Sequence, residues 1–348
     1  MTEHDQDSLH QGRFVSARGL IPLCLMALLF LLPLFNRDPI FLHLMILIYF
    51  YSFLTLSWNL VGGLAGQMSL GHTAFTGIGA YTSTILFIQW GLTPWVGMLV
   101  GGLFAAAAAV LIGYPCFKLR GAYFALSTLG FLEALRLVVE NTREVFGIQI
   151  KGAMGMEVPL RGQSILYFQF LRKEYYYYII LIMMLFALWI THRIFKSRFG
   201  YYLAAIKNDI DAAQSLGVNV TMEKLKAAAL SAFLAGCAGT FYAQLILFID
   251  PGGIFSGYLS LEIVFIGVIG GRGTLMGPVL GSFLLVPLSE LSRIYLGGTY
   301  FGIHLIVFGS ILIVVMLFYP RGINELVTKG YSWFVEKLEK RPASVGVT

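Results

Sequence analysis

The segment Lys196–Val220 reads KSRFGYYLAAIKNDIDAAQSLGVNV and lies between two apolar runs, 175–195 and 226–248. Each run is long enough to cross the hydrocarbon core of a bilayer, which takes about 20 residues of helix. Of the 348 residues in the chain, 57% are hydrophobic and only 12% are charged. Soluble domains carry about 25% charged residues. The sequence therefore predicts an all-α integral membrane protein that crosses the bilayer many times.

The apolar runs predict a polytopic bundle of about ten transmembrane helices. Spans are predicted at 20–35, 40–61, 68–88, 93–114, 120–140, 175–195, 226–248, 258–271, 275–296 and 301–319. Two of these runs are weak, because one is rich in glycine and polar residues near 62–80 and the other, 259–271, is short. Membranes tolerate a broken or re-entrant span only where protein or water covers its backbone. Counts of eight or nine are therefore also compatible with the sequence.

Basic residues set the predicted topology. With ten spans, Arg13 and Arg18, the loop 193–226 and the basic residues of the tail all fall on one side, which the positive-inside rule assigns to the cytoplasm. Both termini are then cytoplasmic, and the net charge of +6 indicates topology and contact with the lipid bilayer, not nucleic-acid binding. Three parts result: an N-terminal segment 1–19, a transmembrane domain 20–320, and an amphipathic tail 321–348 on the inner membrane surface.

The loop 193–226 contains a helix-compatible stretch from Tyr201 to Gly217, without proline or internal glycine before its last residue. Its apolar residues recur at intervals of three or four, which predicts one helical face: Tyr202, Ile206, Ile210, Ala213 and Leu216. Gly217 is expected to end the helix in a left-handed cap. Two interpretations stay open. The helix either completes a surface loop or docks in a groove on a partner.

Several polar residues fall in an otherwise apolar stretch: Gln67, Ser69, His72, Thr73 and Thr76. Polar groups at this depth are costly unless they are compensated. They are predicted either to line a pathway through the membrane or a contact with another membrane subunit, or to join helices of one subunit by hydrogen bonds.

Three further ionisable residues occur in the predicted spans. Glu133 and Arg136 are three residues apart on one helix and are predicted to pair, with a gating role as the alternative. Glu262 opens the short span, where it either caps the helix or faces the pathway.

Motifs for catalysis are absent from the sequence. There is no phosphate-binding loop of the form G-x-x-x-x-G-K-[ST], no H-E-x-x-H and no G-x-S-x-G. The three cysteines lack paired or metal-ligand spacing. We therefore predict no catalytic residue, no metal site and no cofactor in this chain, and we expect any ATP to be hydrolysed by another subunit.

Four motifs together resemble a known family. The stretch Asp211–Gly217, D-A-A-x-x-x-G, resembles the coupling motif E-A-A-x-x-x-G of ATP-binding-cassette importer permeases, although Asp211 replaces the usual glutamate and the following Ile-x-Leu-Pro is missing. Three longer stretches are similar to LivM-type permeases of branched-chain amino acid importers: GQMSLGHTAF at 66–75, LRGAYFALSTLGFLE at 119–133, and SLEIVFIGVIGGRGTLMGPVLG at 260–281. The resemblance covers about residues 56–322.

The resemblance implies a transport system of several subunits in a bacterial or archaeal cytoplasmic membrane. A LivH-type permease or a second copy would complete the pathway, two ATPases would bind ATP and Mg, and a periplasmic or lipoprotein binding protein would deliver substrate. It also assigns the residues that would contact an ATPase: Arg198, Phe199, Gly200, Ile206, Asp209, Asp211, Ala212, Ala213, Leu216 and Gly217. The substrate would be a branched-chain amino acid, urea, an amide or a related solute. The exterior motif T-G-G-x-x-G appears here as IKGAMG at 150–155, which leaves that choice open.

Two other classes of protein fit the sequence less well. An ion-gradient-driven secondary transporter of a small polar solute should have several ionisable groups facing each other at mid-membrane, and this sequence has few. An intramembrane enzyme would need a nucleophile with its base, or metal ligands, within the spans. The sequence shows neither pattern.

Overall fold

A computed structural model describes residues 28–145, 147–296, 309–310, 313, 317 and 322–329. The predictions for the segment 1–19, for the start of the first span, for most of the span 301–319 and for the tail beyond residue 329 fall outside these residues. The helices of the main part are α1 (residues 28–35), α2 (Pro39–Asn59), α3 (Thr73–Trp90), α4 (Pro94–Cys116), α5 (Ala122–Asn141), α6 (Lys173–Phe195), α7 (Arg198–Asn208), α8 (Ile210–Ser215), α9 (Val220–Ile246), α10 (Pro251–Ile254), α11 (Gly257–Gly271) and α12 (Gly277–Leu296).

Six helical segments of the described chain are long and apolar enough to cross a membrane. They are Pro39–Leu64, Pro94–Cys116, Ala122–Asn141, Lys173–Phe195, Val220–Ile246 and Pro251–Gly271. The prediction of a polytopic helical membrane protein is thus confirmed. Every predicted span between residues 40 and 296 contains a helix. The count of ten and the cytoplasmic position of both termini stay predictions.

Helices α2 and α9 form the centre of the bundle, with about 72% and 67% of their membrane-crossing windows buried. Helix α9 packs against α3 and α4, and glycines make this packing close. A Cβ atom on Gly239 would overlap the carbonyl oxygen of Thr76, and one on Gly79 would overlap the backbone of Gly236. Small residues at such crossings let helix backbones approach one another in membranes. Helix α5, at 17%, is the least buried of the six segments and lies at the edge of the bundle.

The chain between α2 and α3 is not a continuous helix, which agrees with the weak run near 62–80. A π-helical turn, Leu60–Leu64, follows α2, and residues 65–72 are non-helical. Side chains of other elements form hydrogen bonds with the backbone of this broken segment (residues 65–72). The indole nitrogen of Trp58 donates to Ser69 O at 2.9 Å, and the backbone nitrogen of His72 donates to Ser260 Oγ at 3.0 Å. Protein groups therefore cover the irregular backbone, as a membrane interior requires.

Small strands are the exception to the all-α prediction. In the loop between α5 and α6, β1 (Glu144–Val145) pairs with β2 (Ile148–Gln149). In the same loop, β3 (Met156–Glu157) pairs with β4 (Phe248–Ile249), which follows α9. This loop covers one end of the bundle, called the outer end below in line with the predicted topology. Helix α6 runs from it to the opposite, inner end, where α7 and α8 lie.

Candidate functional site

Two helices occupy the loop at the inner end, where the sequence predicted one helix over 201–217. Asp209 separates α7 from α8, with φ −154° and ψ 116°. Its carboxylate accepts hydrogen bonds from the backbone nitrogens of Asp211 at 2.9 Å and Ala212 at 3.0 Å. The prediction of a single helix is therefore wrong. An aspartate that accepts from the next turn caps a new helix, and its extended backbone ends the previous one.

The break changes which residues face the bundle. Leu203, Ile206 and Ala213 are buried, whereas Leu216 is 85% exposed and Tyr202 is 41% exposed. The predicted single apolar face is thus wrong as well, because the chain changes direction at Asp209. Leu216 is therefore a large apolar side chain that the described part of the chain leaves exposed at this end.

The end of α8 agrees with the sequence. Gly217 has φ +85°, and open space surrounds the position of a Cβ atom, so the backbone conformation and not crowding calls for glycine. The Gly217 nitrogen donates to Gln214 O at 3.0 Å, and the Val218 nitrogen donates to Ala213 O at 3.1 Å. These two bonds form a Schellman motif. The predicted left-handed cap at Gly217 is confirmed.

The loop itself is shorter than the predicted 193–226 and runs over residues 196–219. Ser197 caps α7 by accepting from the Gly200 nitrogen at 3.2 Å, and Asn219 caps α9 by accepting from the Met222 nitrogen at 3.1 Å. A Cβ atom on Gly200 would overlap the carbonyl oxygen at the end of α6. Arg198 is exposed, and the partly buried Phe199 packs on the core.

An ion pair that the sequence did not indicate holds α8 to the loop before α5. Arg120 donates to both carboxylate oxygens of Asp211, at 2.9 Å and 3.4 Å. The hydrogen bond from this guanidinium and then its charge hold the pKa of Asp211 below its ordinary value. The two residues are 91 positions apart, so no local pattern announces the contact.

Helix α7 contacts two non-helical segments of the bundle through the side chain of Lys207. The Lys207 side chain lies against Gly66, and its Nζ is 2.7 Å from the position of a Cβ atom on Gly273. Desolvation and the charge of Arg272 lower the pKa of Lys207. Asn59 fixes the neighbouring turn, because its amide donates to Thr274 O and accepts from the Gly273 nitrogen, both at 2.9 Å. None of these contacts follows from sequence spacing.

The polar residues predicted between 67 and 76 separate into two places. Gln67 lines a cleft at the inner end together with Lys207 and Asp211. His72 lies inside the bundle, 2% exposed, with Nε2 at 2.7 Å from Ser57 Oγ. The Ser57 carbonyl in turn accepts from Ser231 at 2.6 Å. This geometry supports hydrogen bonding between helices of one subunit for His72, while a role in a pathway stays a prediction.

The remaining residues of this group are also buried. Ser69 contributes its carbonyl to Trp58, and the Thr73 hydroxyl donates to Ser256 O at 3.0 Å. Thr76 is 3% exposed, and its hydroxyl has no hydrogen-bond partner within the part of the chain that the structure describes.

A row of charges lies on the exposed helix α5. Arg136 donates to Glu133 at 2.8 Å, as predicted, and also to Glu140 at 3.0 Å. All three side chains are between 30% and 43% exposed in a helix predicted to lie in the membrane. Glu262 differs from them, because it is 4% exposed and accepts from the Tyr51 hydroxyl at 3.0 Å. Across the described ranges, no group of three or more His, Cys, Asp or Glu side chains is placed to hold a metal ion.

Comparison with known proteins fits this architecture. Residues 40–317 match the family described as the permease component of the branched-chain amino acid transport system. The chain belongs to this permease family. It is 31% identical over 291 residues to the high-affinity branched-chain amino acid transport system permease protein LivM of Escherichia coli (strain K12), covering 78% of this chain and 67% of that protein.

Other members of the permease family are more distant. LivH of Salmonella typhimurium is 24% identical, over 78% of this chain and 90% of LivH. The nucleoside ABC transporter permease protein NupC of Lactococcus lactis is 27% identical, over 64% of this chain and 69% of NupC. No solved structure matches the chain with significance. The predicted LivM-type resemblance is confirmed, and the relatives are permease subunits of transporters, which agrees with the prediction of a non-enzyme.

Proposed function

We propose that this chain is a permease subunit of an ATP-binding-cassette importer in the bacterial cytoplasmic membrane. Its substrate would be a branched-chain amino acid or a related small amino acid or amide. Similarity to LivM supports this choice of substrate, because LivM is named for branched-chain amino acids and NupC, named for nucleosides, is less similar. ATP and Mg would bind to two partner ATPases, and a binding protein would deliver substrate at the outer end.

One observation carries the proposed coupling to an ATPase: α8 and the residue that caps its C-terminus present Ala212 and Leu216 outward, while the other face of the helix is fixed. Both residues are exposed and four positions apart, so they lie on one face of the helix. Ala213 is buried under them, and Asp211 is bound to Arg120. A short helix with a rigid base and an apolar outer face suits a groove on a partner.

The contacts of α7 and α8 suggest how a movement of the ATPases would reach the bundle. The Asp211–Arg120 pair leads from α8 to the start of α5, and Lys207 leads from α7 to Gly66 and Gly273. Helix α5 is the least buried span, so it has the fewest packing contacts to lose when it moves. Rocking of α5 relative to the α2–α9 centre would alternate access between the two sides.

The second permease would cover α5. Its charge row, Glu133, Arg136 and Glu140, is 30–43% exposed on a span that the described part of the chain leaves largely uncovered. Charged groups in a span face protein or water and not lipid. A LivH-type permease or a second copy of this chain would supply that cover, and the pathway would run along this face.

A glutamate at position 216 tests the docking of the ATPases. Leu216→Glu should abolish copurification of the ATPase and ATP-driven uptake in proteoliposomes, while the permease still inserts. Leu171→Glu is the matched control, because Leu171 is 81% exposed in the loop at the outer end and should leave ATPase copurification intact. Equal retention of the ATPase by both variants would refute the docking surface. Uptake that persists without ATP in the presence of an ion gradient would favour the secondary transporter.

A further inference from the structure

We infer that residues 159–172 of the loop between α5 and α6, called the outer segment below, bind the phospholipid surface of the bilayer. Four large apolar side chains of this segment are exposed: Leu160 at 75%, Ile165 at 71%, Leu166 at 57% and Leu171 at 81%. Apolar side chains grouped on a protein surface mark a contact with another protein or with a membrane. The inference needs only a membrane-spanning chain and does not depend on the substrate or on an ATPase.

Hydrogen bonds to the ends of the spans fix the depth of the outer segment. The indole nitrogen of Trp95, in the first turn of α4, donates to Ile165 O at 2.7 Å. Arg161 donates from Nη2 to Ile88 O at 3.2 Å, close to the end of α3. Leu171 lies two residues before α6 begins. Spans end at the boundary between the hydrocarbon core and the headgroups, so the outer segment lies at that boundary.

Buried contacts hold the outer segment in place. Gln169 is 2% exposed, and its side chain accepts from the Arg161 nitrogen at 3.0 Å and donates to Pro159 O at 2.9 Å. The ring of Phe168, which is 0% exposed, stacks on the ring of Trp95 with the centroids 4.4 Å apart. The exposed apolar side chains are therefore carried by an ordered backbone, so that binding costs little ordering free energy.

The outer segment and the start of α6 form a cleft of about 310 Å³, whose walls combine apolar, aromatic and basic side chains. They include Ile165, Phe170, Leu171, Arg172 and Tyr175. The rings of Phe170 and Tyr175 are stacked with the centroids 5.0 Å apart. A guanidinium binds phosphate oxygens in pairs, and aromatic rings are typical of the membrane interface. A phospholipid offers both partners, a phosphate for Arg172 and an acyl chain for Ile165 and Leu171.

The charge of this part of the chain also fits a phosphate. Residues 158–175 contain three basic residues, Arg161, Arg172 and Lys173, and a single acidic residue, Glu174. Arg161 is bonded to the end of α3, whereas Arg172 and Lys173 are exposed at the surface. Exposed cations next to large apolar side chains are typical of segments that lie on a membrane surface.

A protein partner fits these contacts less well. A soluble protein would approach the outer end from the water, whereas Ile165 and Leu171 lie beside the ends of α4 and α6. A second permease is proposed to cover α5, which contacts an earlier part of the loop: a Cβ atom on Gly152 would lie 2.7 Å from Glu140 O. Lipid bound to the outer segment would hold the ends of α3, α4 and α6 at a fixed depth and leave α5 free to rock.

Nitroxide labels measure whether the outer segment lies in lipid. Ile165→Cys and Leu171→Cys are labelled in a chain whose three native cysteines are replaced by alanine, within the assembled transporter in lipid nanodiscs. The measured quantity is the ratio of label collisions with oxygen, which concentrates in lipid, to collisions with a water-soluble nickel chelate. Leu103→Cys is the lipid control, because Leu103 is 62% exposed in the middle of α4. Glu144→Cys, at an exposed position of β1, is the water control.

We expect the collision ratio at positions 165 and 171 to match the lipid control and to be several-fold higher than the water control. A ratio equal to that of the water control would overturn the inference, because the segment would then lie in water. Protection of both labels from both reagents would also overturn it, because a protein would then cover the segment. Leu166→Cys, at a position 57% exposed, replaces Leu171→Cys if that label disturbs the fold.

A charge reversal tests the contact with phosphate. Arg172→Glu should lower the collision ratio of the label at position 165, because a carboxylate is repelled by phosphate groups and moves the segment away from the lipid. Lys151→Glu is the matched control, since Lys151 is exposed in the same loop but lies outside the outer segment. Equal collision ratios in the two variants would overturn the assignment of Arg172 to a phosphate.

Discussion

Two irregular segments of this chain differ in how their polar and apolar groups are used. In the broken segment, residues 65–72, polar groups are buried and bonded to other helices, as the Ser57–His72 contact shows. In the loop of α7 and α8, an apolar side chain, Leu216, is exposed and uncovered by the described chain. Internal hydrogen bonding therefore explains the buried His72 next to the break. The exposed Leu216 instead fits the proposed docking of a partner.

The largest expected effect is steric and falls in the broken segment. A Cβ atom on Gly71 would overlap the carbonyl oxygen of Thr128 on α5. Gly71→Ala should therefore reduce the free energy of unfolding by about 1–3 kcal/mol, the usual range for overpacking. Gly130→Ala on α5 is the control, because open space surrounds that position. Thermal unfolding of the two variants in detergent measures the difference, and equal melting temperatures would mean that α5 does not pack on this segment.

Loss of the hydroxyl partner of His72 should have the next largest effect. Ser57→Ala leaves the buried Nε2 without the partner it has at 2.7 Å. An unsatisfied buried polar group costs about 1–3 kcal/mol. A double-mutant cycle with His72→Phe measures the coupling between the two side chains. If the two losses in stability simply add, the internal hydrogen bond does not hold the segment.

Smaller effects are expected at the caps of α8. Asp209→Ala removes the two bonds that start α8, at a typical cost of about 1 kcal/mol for a helix N-cap. Gly217→Ala forces a Cβ atom into a left-handed conformation, at about 1–2 kcal/mol. Gly217→Asn should recover part of that loss, because asparagine tolerates this conformation. Chemical unfolding of the three variants checks the order, and an equal loss for alanine and asparagine would contradict the conformational explanation.

The smallest effect on stability is expected at the Arg120–Asp211 pair, which is solvent-exposed. Because the folded-state pKa of Asp211 is lowered, its contribution is present above the ordinary pKa of 3.8 and is lost as the pH falls through the lower folded-state value. The stability difference between wild type and Asp211→Asn should therefore stay constant from neutral pH down to that region. A difference that disappears between pH 7 and 5 would mean that the pair does not lower the pKa.

The sequence predicts the local features of both segments and misses those that depend on contacts between distant residues. The Gly217 cap and the Glu133–Arg136 pair follow from spacings of a few residues, and both are present. The sequence does not indicate the break at Asp209, because an aspartate in a periodic pattern fits either a helix surface or an N-cap. The Arg120–Asp211 pair and the Asn59 contact with the 273–274 turn join residues far apart in the chain, and a single sequence carries no signal for them.

The most direct test of the central claim, that α8 docks an ATPase, is a photo-crosslinking amino acid introduced in place of Leu216 in the membrane-embedded transporter. The account predicts a crosslinked product with the ATPase subunit. It also predicts that the same amino acid in place of Leu171, at the outer end, gives no product with the ATPase. ATP-driven uptake by the labelled transporter shows that the complex is intact. Intact uptake without an ATPase crosslink from position 216 would contradict the claim.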